Sequence, residues 1–479
     1  FTLAAVETEL LLFIFYMVAA AVFVIAGNGR PQATLAWLLA FFVAPVAGVV
    51  AYIFFGRDWK AFSKRRRFLK QDLGSSVQTI LAPIVAGQEG LLKSLEEQSG
   101  THRKLMRLAR RNSNSALTVR NRAEILQGAD EFYTRMIEDI RAAESSIHLQ
   151  YYIWRDDSFT DEFREILASK AAEGVEVRVL FDPIGSMLPF RWRYFRSLRA
   201  AGISVASTSP VYELHTISYR NHRKITVIDG RIGYTGGMNI GEEHLAENWR
   251  DTQVRLVGQS VAMLQTVFLV EWYNAVRENL FSARYLPEES IEPEEGDIPV
   301  QILTSGPDSQ WAAIRQLYSM MIVSARREVL VQSPYFILDG SISEALKTAA
   351  LSGVDVKVMI ADREPKNQLP IWAASTYAAD VVSAGVRVYL YKGGFLHAKT
   401  ITIDSNICSV GSANIDIRSF SINYELNAVL YDERLASQLR RTFERDLEQC
   451  EEFTLAKYRE RNPFLRFRDS LARLASPLL

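Results

Sequence analysis

The sequence predicts an α/β protein of two similar lobes, preceded by an N-terminal pair of membrane-spanning helices. Its 479 residues are enough for two or three domains with cores of their own. One motif occurs twice, with its histidines at positions 222 and 397, which indicates that one lobe was duplicated. Two runs of uncharged residues, 10–26 and 33–55, lie ahead of both copies. The formal net charge is zero, so the composition gives no general sign of a polyanion-binding protein.

The two uncharged runs predict a helical hairpin over residues 1–56. A helix of roughly 20 residues crosses the hydrocarbon core of a bilayer, so both runs are candidate spans. The polar residues 27–32 between them predict a tight turn. A cleaved signal peptide and two buried helices of a soluble core are the alternatives. Glu7 and Glu9 stand where a signal peptide carries basic residues, and a second apolar run follows at once, which favours the hairpin.

Basic residues after the second run set its predicted orientation. Against one acid, Asp58, residues 57–70 contain Arg57, Lys60, Lys64, Arg65, Arg66, Arg67 and Lys70. Basic residues beside a span stay in the cytoplasm, so we expect both chain ends and the two lobes on the cytoplasmic side. Residues 57–123 are expected to form a basic helical connector, which either lies on anionic headgroups or presents a solvated helix face.

Alternating strand and helix patterns predict the two lobes, at residues 124–285 and 299–450. A strand-like run at 147–154 in the first lobe recurs at 329–336 in the second. This agreement supports an α/β lobe with a partly parallel sheet in each half.

Two further segments flank the second lobe. Residues 286–298 are acidic and contain two prolines, which predicts a solvated linker. Residues 451–479 mix basic and large apolar side chains. They predict an amphipathic segment that either lies on the membrane or packs back on a lobe.

The repeated motif has one order in both halves. Residues 222–229 read His-Arg-Lys-Ile-Thr-Val-Ile-Asp, and residues 397–404 read His-Ala-Lys-Thr-Ile-Thr-Ile-Asp. In each copy a Gly and an Asn follow the His by fourteen and seventeen residues. The candidate site residues are His222, Lys224, Asp229, Asn239, His397, Lys399, Asp404 and Asn414.

This combination of side chains suits phosphate chemistry. β-Branched residues make each motif strand-like, and strand residues two apart share one face, so each His lies beside its Lys. An imidazole can attack phosphorus or move a proton, and an ammonium neutralises phosphoryl oxygens. The two downstream Asn side chains can donate hydrogen bonds to the same oxygens. No metal site is expected, because these groups can carry the charge of the phosphate.

The two motif aspartates have two readings. Asp229 and Asp404 are either catalytic members of their motifs or the residues that form the turn after each strand. The sequence Asp229-Gly230 favours a hairpin turn, because both residue types adopt the left-handed conformations that such turns need.

With these residues the chain resembles the phospholipase D superfamily over residues 120–450. The resemblance implies two α/β lobes related by a pseudo-twofold axis, with one active site at their interface and one His from each lobe. The second uncharged run is similar to that of bacterial cardiolipin synthases, in the pattern Trp37, Pro45, Gly48, Tyr52 and Gly56. This similarity implies a multi-pass protein of the bacterial inner membrane.

The resemblance also implies transfer through a covalent phosphohistidine. His222 is expected to be the nucleophile, and His397 the general acid and then the general base, the two sharing a proton as a coupled pair. Transfer from one phosphatidylglycerol to another would give cardiolipin and glycerol, with no nucleotide or other cofactor. Arg220 and Arg418, near the two motifs, are candidates to hold the phosphate of the second lipid.

Each imidazole also needs an orienting partner at its second nitrogen. Asp251 follows His222 by 29 residues, and Glu425 follows His397 by 28. The matched positions predict that these carboxylates hold the imidazoles. The alternative is that both are surface acids.

Other functions remain open at this point. A membrane-bound phospholipase D would pass the phosphatidyl group to water and give phosphatidic acid. A nuclease would use the same chemistry, but the predicted membrane spans argue against it and against nucleic acid as a partner. A non-catalytic scaffold would not need two intact motifs. A homo-oligomer is compatible with the sequence.

Overall fold

The computed structural model describes residues 2–27, 31–52, 56, 100–209, 218–246, 248–287, 296–364 and 367–476. The chain divides into two compact units, Phe1–Ser63 with Tyr212–Ser218, and Lys64–Val211 with Tyr219–Leu479. The expected linker falls mainly on residues 288–295, and much of the expected basic connector on residues 57–99, which lie outside the described residues.

Three helices are described near the N-terminus: α1 (Thr2–Ala26), α2 (Pro31–Val43) and α3 (Pro45–Ala51). Among the described residues one helical stretch, Thr8–Ala26, is long and apolar enough to cross a membrane. Within the second uncharged run the chain breaks at Ala44 (φ −139°, ψ 76°), so α2 and α3 are separate helices. The ring of Pro45 disfavours a helical conformation in the residue before it, so α3 starts anew with that proline.

The last part of the expected connector belongs to the second lobe. Helix α4 (Gly100–Ser113) buries Leu105, Met106 and Ala109 in that lobe's core. Strand β1 (Leu117–Thr118) then pairs with the edge of the second lobe's sheet. This segment is therefore an integral layer of the lobe on its apolar side.

The first lobe is a seven-stranded sheet flanked by helices, in the strand order β2-β9-β7-β6-β3-β4-β5. Strands β3, β4 and β5 pair in parallel, and the other neighbours pair antiparallel. The strands of this sheet are β2 (Asn121–Gln127), β3 (Ser146–Tyr151), β4 (Glu176–Phe181), β5 (Ser204–Ser207), β6 (Ile225–Ile228), β7 (Ile232–Gly236) and β9 (Thr252–Gly258), and the lobe also has the short strand β8 (Trp249–Arg250) outside it. Its helices are α5 (Ala129–Arg141), α6 (Ser158–Ala172), α7 (Leu188–Ala200) and α8 (Gln259–Val276), with a 3₁₀ turn at Glu242–Leu245.

The second lobe repeats this plan in a nine-stranded sheet of order β1-β10-β19-β17-β16-β11-β13-β14-β20. Besides β1, the strands of this sheet are β10 (Val300–Ser305), β11 (Glu328–Ser333), β13 (Asp355–Ala361), β14 (Arg387–Tyr391), β16 (Thr400–Ile403), β17 (Ile407–Gly411), β19 (Glu425–Leu430) and β20 (Cys450–Phe453). Three short strands lie outside it: β12 (Phe336–Ile337), β15 (Phe395–Leu396) and β18 (Ile415–Asp416). Its helices are α9 (Ala313–Ser324), α10 (Gly340–Leu351), α11 (Leu369–Val382), α12 (Ile417–Ser421), α13 (Glu433–Leu447), α14 (Leu455–Glu460) and α15 (Pro463–Leu474).

Removing the edge strands β1 and β20 leaves seven strands in the same order and with the same pairing directions as the first lobe. The two motif strands, β6 and β16, hold the same place in their sheets. The predicted duplication of an α/β lobe is thus visible strand by strand.

A shared core joins the two lobes. Ile225 and Val227 on β6 lie in one buried cluster with Val410 on β17 and with Leu426 and Ala428 on β19. Because β6 carries the first motif, packing of its apolar side chains against the second lobe fixes that motif relative to the other. About 25 cal/mol is gained for each square ångström of apolar surface buried in such a contact.

The C-terminal segment is not a free amphipathic tail. Strand β20 closes the edge of the sheet by pairing with β14, and α15 packs against α11. Of the two readings of residues 451–479, packing on the lobe describes one side of α15. Its other side is considered below.

Candidate functional site

The backbone of each motif forms a hydrogen bond with the backbone of the opposite lobe. The backbone N–H of His222 donates to the carbonyl of Tyr424 at 2.9 Å, and that of His397 donates to the carbonyl of Arg250 at 2.7 Å. Beside the second contact, β15 pairs in parallel with β8 of the first lobe. The turn into each motif strand is therefore fixed by the other half of the chain, and both histidines lie at the interface between the lobes.

The orienting carboxylates are exchanged between the lobes. The Nδ1 atom of His222 lies 3.1 Å from Oε2 of Glu425, and that of His397 lies 2.6 Å from Oδ2 of Asp251. Both carboxylates are fully buried. The spacing along the chain matched each acid with the His of its own lobe, and the structure corrects this pairing. Asp251 directly follows Arg250 and Glu425 directly follows Tyr424, the residues whose carbonyls accept from the opposite motif. Each acid therefore faces the imidazole of the other lobe across the interface.

The two carboxylates are supported differently. Asp251 accepts the backbone N–H of Thr252 at 2.8 Å. Glu425 accepts the hydroxyl of Ser412 and, at 3.3 Å, the side-chain amide of Asn423. The residue equivalent to Ser412 in the first lobe is Gly237, so this difference between the motifs gives Glu425 a hydroxyl donor that Asp251 lacks.

These supports act on the charge of the acids. Burial opposes the charge of both, but His222, Lys224 and the Ser412 hydroxyl lower the pKa of Glu425 below its usual value. Burial raises the pKa of Asp251, against the opposing charge of Lys399. The two halves of the site are therefore similar in geometry and unequal in electrostatics.

The two lysines are buried beside the histidines that precede them. Nζ of Lys224 donates to the carbonyl of His222 at 2.7 Å, and Nζ of Lys399 donates to the carbonyl of His397. Burial lowers the pKa of Lys224 well below its usual value and that of Lys399 to about 8. An anion bound next to these ammonium groups would restore their charge, so the site is built to receive a negative group.

Both motif histidines have pKa values below the usual value for an imidazole. Burial lowers the pKa of His222, and the charge of Lys224 adds to this against the pull of Glu425. Burial also takes the pKa of His397 well below its usual value, reinforced by Lys399, by Lys224 and by His222 itself. A charge on His222 thus opposes one on His397, which is the behaviour of two groups that share a proton.

The downstream asparagines have different partners. Oδ1 of Asn239 accepts the backbone N–H of Ile153 at 3.0 Å, which leaves its NH2 group as the part able to donate to an anion. Oδ1 of Asn414 is buried with no hydrogen-bond partner among the described residues, while its side chain bonds Asp416. Both side chains are almost fully buried, so any ligand that met them would be desolvated.

The two arginine candidates lie around Tyr152. The ring of Tyr152 stands edge-on to His222 with 4.8 Å between centroids. The charges of Arg418 and Arg220 both act on the Tyr152 hydroxyl, whose pKa burial raises to about 12. Arg220 also lies 3.4 Å from Oδ1 of Asp182. Both arginines therefore lie beside the first motif, although Arg418 belongs to the second lobe.

Asp229 and Asp404 do not join the other motif residues. Asp229 accepts the backbone N–H groups of Glu144, Ser145 and Ser146 at 2.7–2.9 Å. Asp404 accepts those of residues 326–328. Both have positive φ, 54° and 51°. Seven residues of extended chain place them roughly 20 Å from the histidines, so these contacts favour the second of their two readings, in which they stabilise the turn after the motif strand.

Four aromatic side chains near the histidines were not foreseen. Besides Tyr152, the rings of Trp249, Phe395 and His244 lie near His397, with 5.3, 5.6 and 6.4 Å between ring centroids. Both ring nitrogens of His244 are buried without a hydrogen-bond partner among the described residues. Only Trp249 had a sequence signal, because it stands two residues before Asp251.

Comparison with known proteins agrees with this architecture. The family described as "Cardiolipin synthase, PLD-like domain" matches residues 136–268 and 318–447, and one described as "Phospholipase_D-nuclease N-terminal" matches residues 15–57. The major cardiolipin synthase ClsA of Bacillus subtilis is 37% identical over 490 residues, covering 98% of both chains. The cardiolipin synthase of Oceanobacillus iheyensis is 38% identical over 460 residues, covering 94% of both.

A solved structure shares the fold. The phosphatidylserine synthase of Haemophilus influenzae superposes with a TM-score of 0.59 at 14% identity, over 78% of this chain and 100% of that one. The matches to both halves, the near-complete coverage by relatives and the paired motifs lead to one conclusion: the chain belongs to the cardiolipin synthase family of phospholipase D-like proteins.

Proposed function

We propose that this protein transfers a phosphatidyl group from one phosphatidylglycerol molecule to a hydroxyl group of another, giving cardiolipin and glycerol. The observation that carries the proposal is the exchanged pairing, in which each lobe supplies an imidazole and the carboxylate that holds the imidazole of the other lobe. Because both Nδ1 atoms are occupied, both Nε2 atoms are available for one phosphodiester between the lobes.

The proposed reaction has two steps. Nε2 of neutral His222 attacks phosphorus, the bond from phosphorus to the glycerol oxygen breaks, and protonated His397 gives its proton to that oxygen. A hydroxyl of the second phosphatidylglycerol then loses its proton to His397 and attacks the phosphohistidine, and the P–N bond breaks. One phosphodiester replaces another, so no nucleotide and no other co-reactant is needed. His397 loses one proton to the departing glycerol and regains one from the hydroxyl of the second lipid.

The order of the two histidines follows the family resemblance. Burial lowers the pKa of both histidines, and both lysines oppose a charge on either ring. A phosphodiester adds a negative charge beside both rings and both lysines, so these pKa shifts do not by themselves assign the roles. Trapping of the intermediate decides between the two orders.

The remaining site residues have proposed roles in charge and position. Lys224 and Lys399 neutralise the phosphoryl oxygens as charge moves onto them. Asn239 and Asn414 donate hydrogen bonds to the same oxygens through their amide groups. Arg220 and Arg418, which both act on Tyr152, would hold the phosphate of the second lipid beside the first motif.

The fate of the phosphohistidine separates this function from the alternatives. Attack by water would make the protein a phospholipase D that yields phosphatidic acid. A lipid acceptor is favoured because the relatives that match over nearly the whole chain are named cardiolipin synthases. Nucleic acid is disfavoured as a substrate by the apolar helix ahead of the lobes.

We further propose the arrangement in the membrane. The lobes are related by a pseudo-twofold axis, the N-terminal helices form a hairpin in a bacterial inner membrane, and the lobes face the cytoplasm. The basic residues after the second apolar run support this orientation. A homo-oligomer is compatible with it.

The test incubates the purified full chain with phosphatidylglycerol in detergent, with a chelator and without nucleotide. Cardiolipin and glycerol in equal amounts are the expected products, measured by mass spectrometry. Phosphatidic acid in their place would assign the hydrolase function, and no product would contradict both. His222→Ala and His397→Ala are the controls that exclude a contaminating activity.

A further inference from the structure

Helix α15 carries its large apolar side chains on the side that faces away from the protein. The exposed side chains are Phe464 (83%), Phe467 (63%), Leu471 (50%) and Leu474 (78%). They are spaced at i, i+3, i+7 and i+10, so they form one row along the helix, called here the apolar stripe. The same helix buries Asp469 and Ala472 on its inner side. Its polarity is thus reversed relative to an ordinary surface helix.

The stripe is not exposed because the helix is loosely attached. The guanidinium of Arg468 lies 4.2 Å from the ring of Trp372, and that of Arg473 lies 4.4 Å from the ring of Tyr377. The hydroxyl of Tyr377 is 3.0 Å from that of Ser476. Contacts on both flanks therefore hold the helix in one rotation, and that rotation presents the stripe outward.

Buried ion pairs fix the inner side as well. Asp469 is fully buried, and its carboxylate lies 3.0 Å from Arg461 and 2.8 Å from Arg468. Turning the helix to bury the stripe would expose Ala472 and break these pairs. Breaking these pairs would leave the buried carboxylate of Asp469 without its partners, which is strongly destabilising, so the outward stripe is the stable arrangement of this fold.

Positive charge surrounds the stripe. Over residues 455–474, which contain α14 and α15, the basic residues outnumber the acidic ones six to two, and one of the two acids is the buried Asp469. The basic residues are Lys457, Arg459, Arg461, Arg466, Arg468 and Arg473. A row of Phe and Leu with arginines on its flanks matches the boundary of an anionic bilayer, where acyl chains lie beneath negative headgroups.

We infer that the stripe is a second membrane contact of this protein, in which α15 lies in the interface of an anionic bilayer while the helix remains packed on the second lobe. A second copy of the chain is the other apolar partner to consider. Two stripes facing each other would bring both sets of basic residues together, and like charges oppose that contact. A bilayer containing phosphatidylglycerol offers the opposite charge and an apolar layer of the right depth.

The experiment measures contact with lipid and makes no use of catalysis. Leu471→Cys is labelled with an environment-sensitive fluorophore in the full chain, with Cys450→Ala as background because Cys408 is fully buried. The chain is placed in nanodiscs that contain phosphatidylglycerol and nitroxide-labelled lipids. The matched control is Leu351→Cys at the end of α10, whose side chain is 75% exposed and whose helix carries one basic residue, Lys347, paired with Glu344.

We expect strong quenching of the label at position 471 and little at position 351. A nitroxide near the glycerol end of the acyl chain should quench more than one near its methyl end, because an interfacial helix lies roughly 5–10 Å deep. Quenching at 471 should fall in nanodiscs without anionic lipid. Adding Phe464→Ser and Leu474→Ser should lower the ratio of docked to undocked helix roughly 100-fold, about tenfold for each side chain lost.

Two outcomes would overturn the inference. Equal quenching at positions 471 and 351 would mean that the stripe does not meet lipid. A label at 471 that is shielded from nitroxide but cross-links to a second chain would make the stripe an interface between copies. Unfolding curves of the labelled variants, compared with the unlabelled chain, exclude misfolding as the cause.

Discussion

Replacing Asp251 by Asn tests the exchange of carboxylates between the lobes. The replacement keeps the shape of the side chain but removes the charge that lies 2.6 Å from Nδ1 of His397. A hydrogen bond to a charged group contributes about 1.5–3 kcal/mol, and a buried imidazolium in the transition state depends on it more than the neutral ring does. A loss of about 1.5–3 kcal/mol at the transition state corresponds to roughly 10–150-fold in kcat. We expect KM to change little, because Asp251 does not meet the lipid in the proposed reaction.

The informative readout is which histidine variant Asp251→Asn resembles. With a phosphatidyl ester of a good leaving group, His397→Ala should accumulate a covalent phospholipid adduct, because the second step lacks its base. Asp251→Asn should accumulate the same adduct, although residue 251 lies in the lobe of His222. Glu425→Gln should instead slow adduct formation, as His222→Ala does.

The reverse result would refute the reasoning. Adduct in Glu425→Gln and none in Asp251→Asn would mean that the carboxylates act within their own lobes, or that the roles of the histidines are interchanged. The single variants separate these two cases, because an adduct in His222→Ala and not in His397→Ala points to interchanged roles alone. A loss in kcat below about tenfold in both carboxylate variants would make the acids structural.

Three further predictions follow from the same contacts. Gly237→Ala should lower turnover about 100-fold, because its Cβ would lie 2.1 Å from Oδ1 of Asp251. Gly340→Ala is the control, since a Cβ there meets nothing within 4 Å, and it should leave turnover unchanged. Equal effects of the two variants in the transfer assay would contradict this. Asp404→Asn should lower the free energy of unfolding by roughly 2 kcal/mol in a denaturant titration and leave kcat within about threefold; inactivation without destabilisation would restore a catalytic role. Because burial holds the pKa values of His222 and His397 below 6.5, kcat/KM should decline as pH rises through values under 6.5. The decline in kcat should occur at higher pH, since the bound phosphodiester stabilises the shared proton; coincident declines would refute the coupling.

Local patterns were enough to find the strands and the residues on them. β-Branched residues identify β6 and β16, and the period of two along a strand places each His beside its Lys. Duplication doubled this signal, so the two α/β lobes could be predicted from one chain. The asparagines followed from the same repeat, because equal spacing in two copies marks equivalent positions.

Contacts between the lobes were beyond these patterns. Spacing along the chain cannot say which carboxylate faces which imidazole, because the pairing depends on how the short segments at Trp249–Arg250 and at Tyr424 cross the interface. His244 was missed for the same reason, since it approaches His397 only after the lobes have met. The turn role of Asp229 was one of two readings of the sequence. The backbone N–H groups that favour this reading belong to Glu144 and Ser145, more than eighty residues from Asp229 in the chain.

The helical parts show the limit of hydrophobicity as a guide. An uncharged run over residues 33–55 predicted one span, but a proline inside the run ends one helix and starts another. In α15 the apolar residues were recognised, yet which side they occupy was decided by Asp469 and its two arginines, a contact that sequence periodicity does not contain.

Binding of vanadate to the full chain tests most directly whether the two halves make one site. Vanadate adopts the geometry of phosphorus under attack, so a structure of the complex reports which side chains meet the reacting atom. We predict one vanadium per chain, bonded to Nε2 of one motif histidine and within hydrogen-bond reach of the other through its oxygens, with both lysines beside it. A separate vanadate at each motif, or one bound to His222 with His397 out of reach, would contradict a site shared between the lobes.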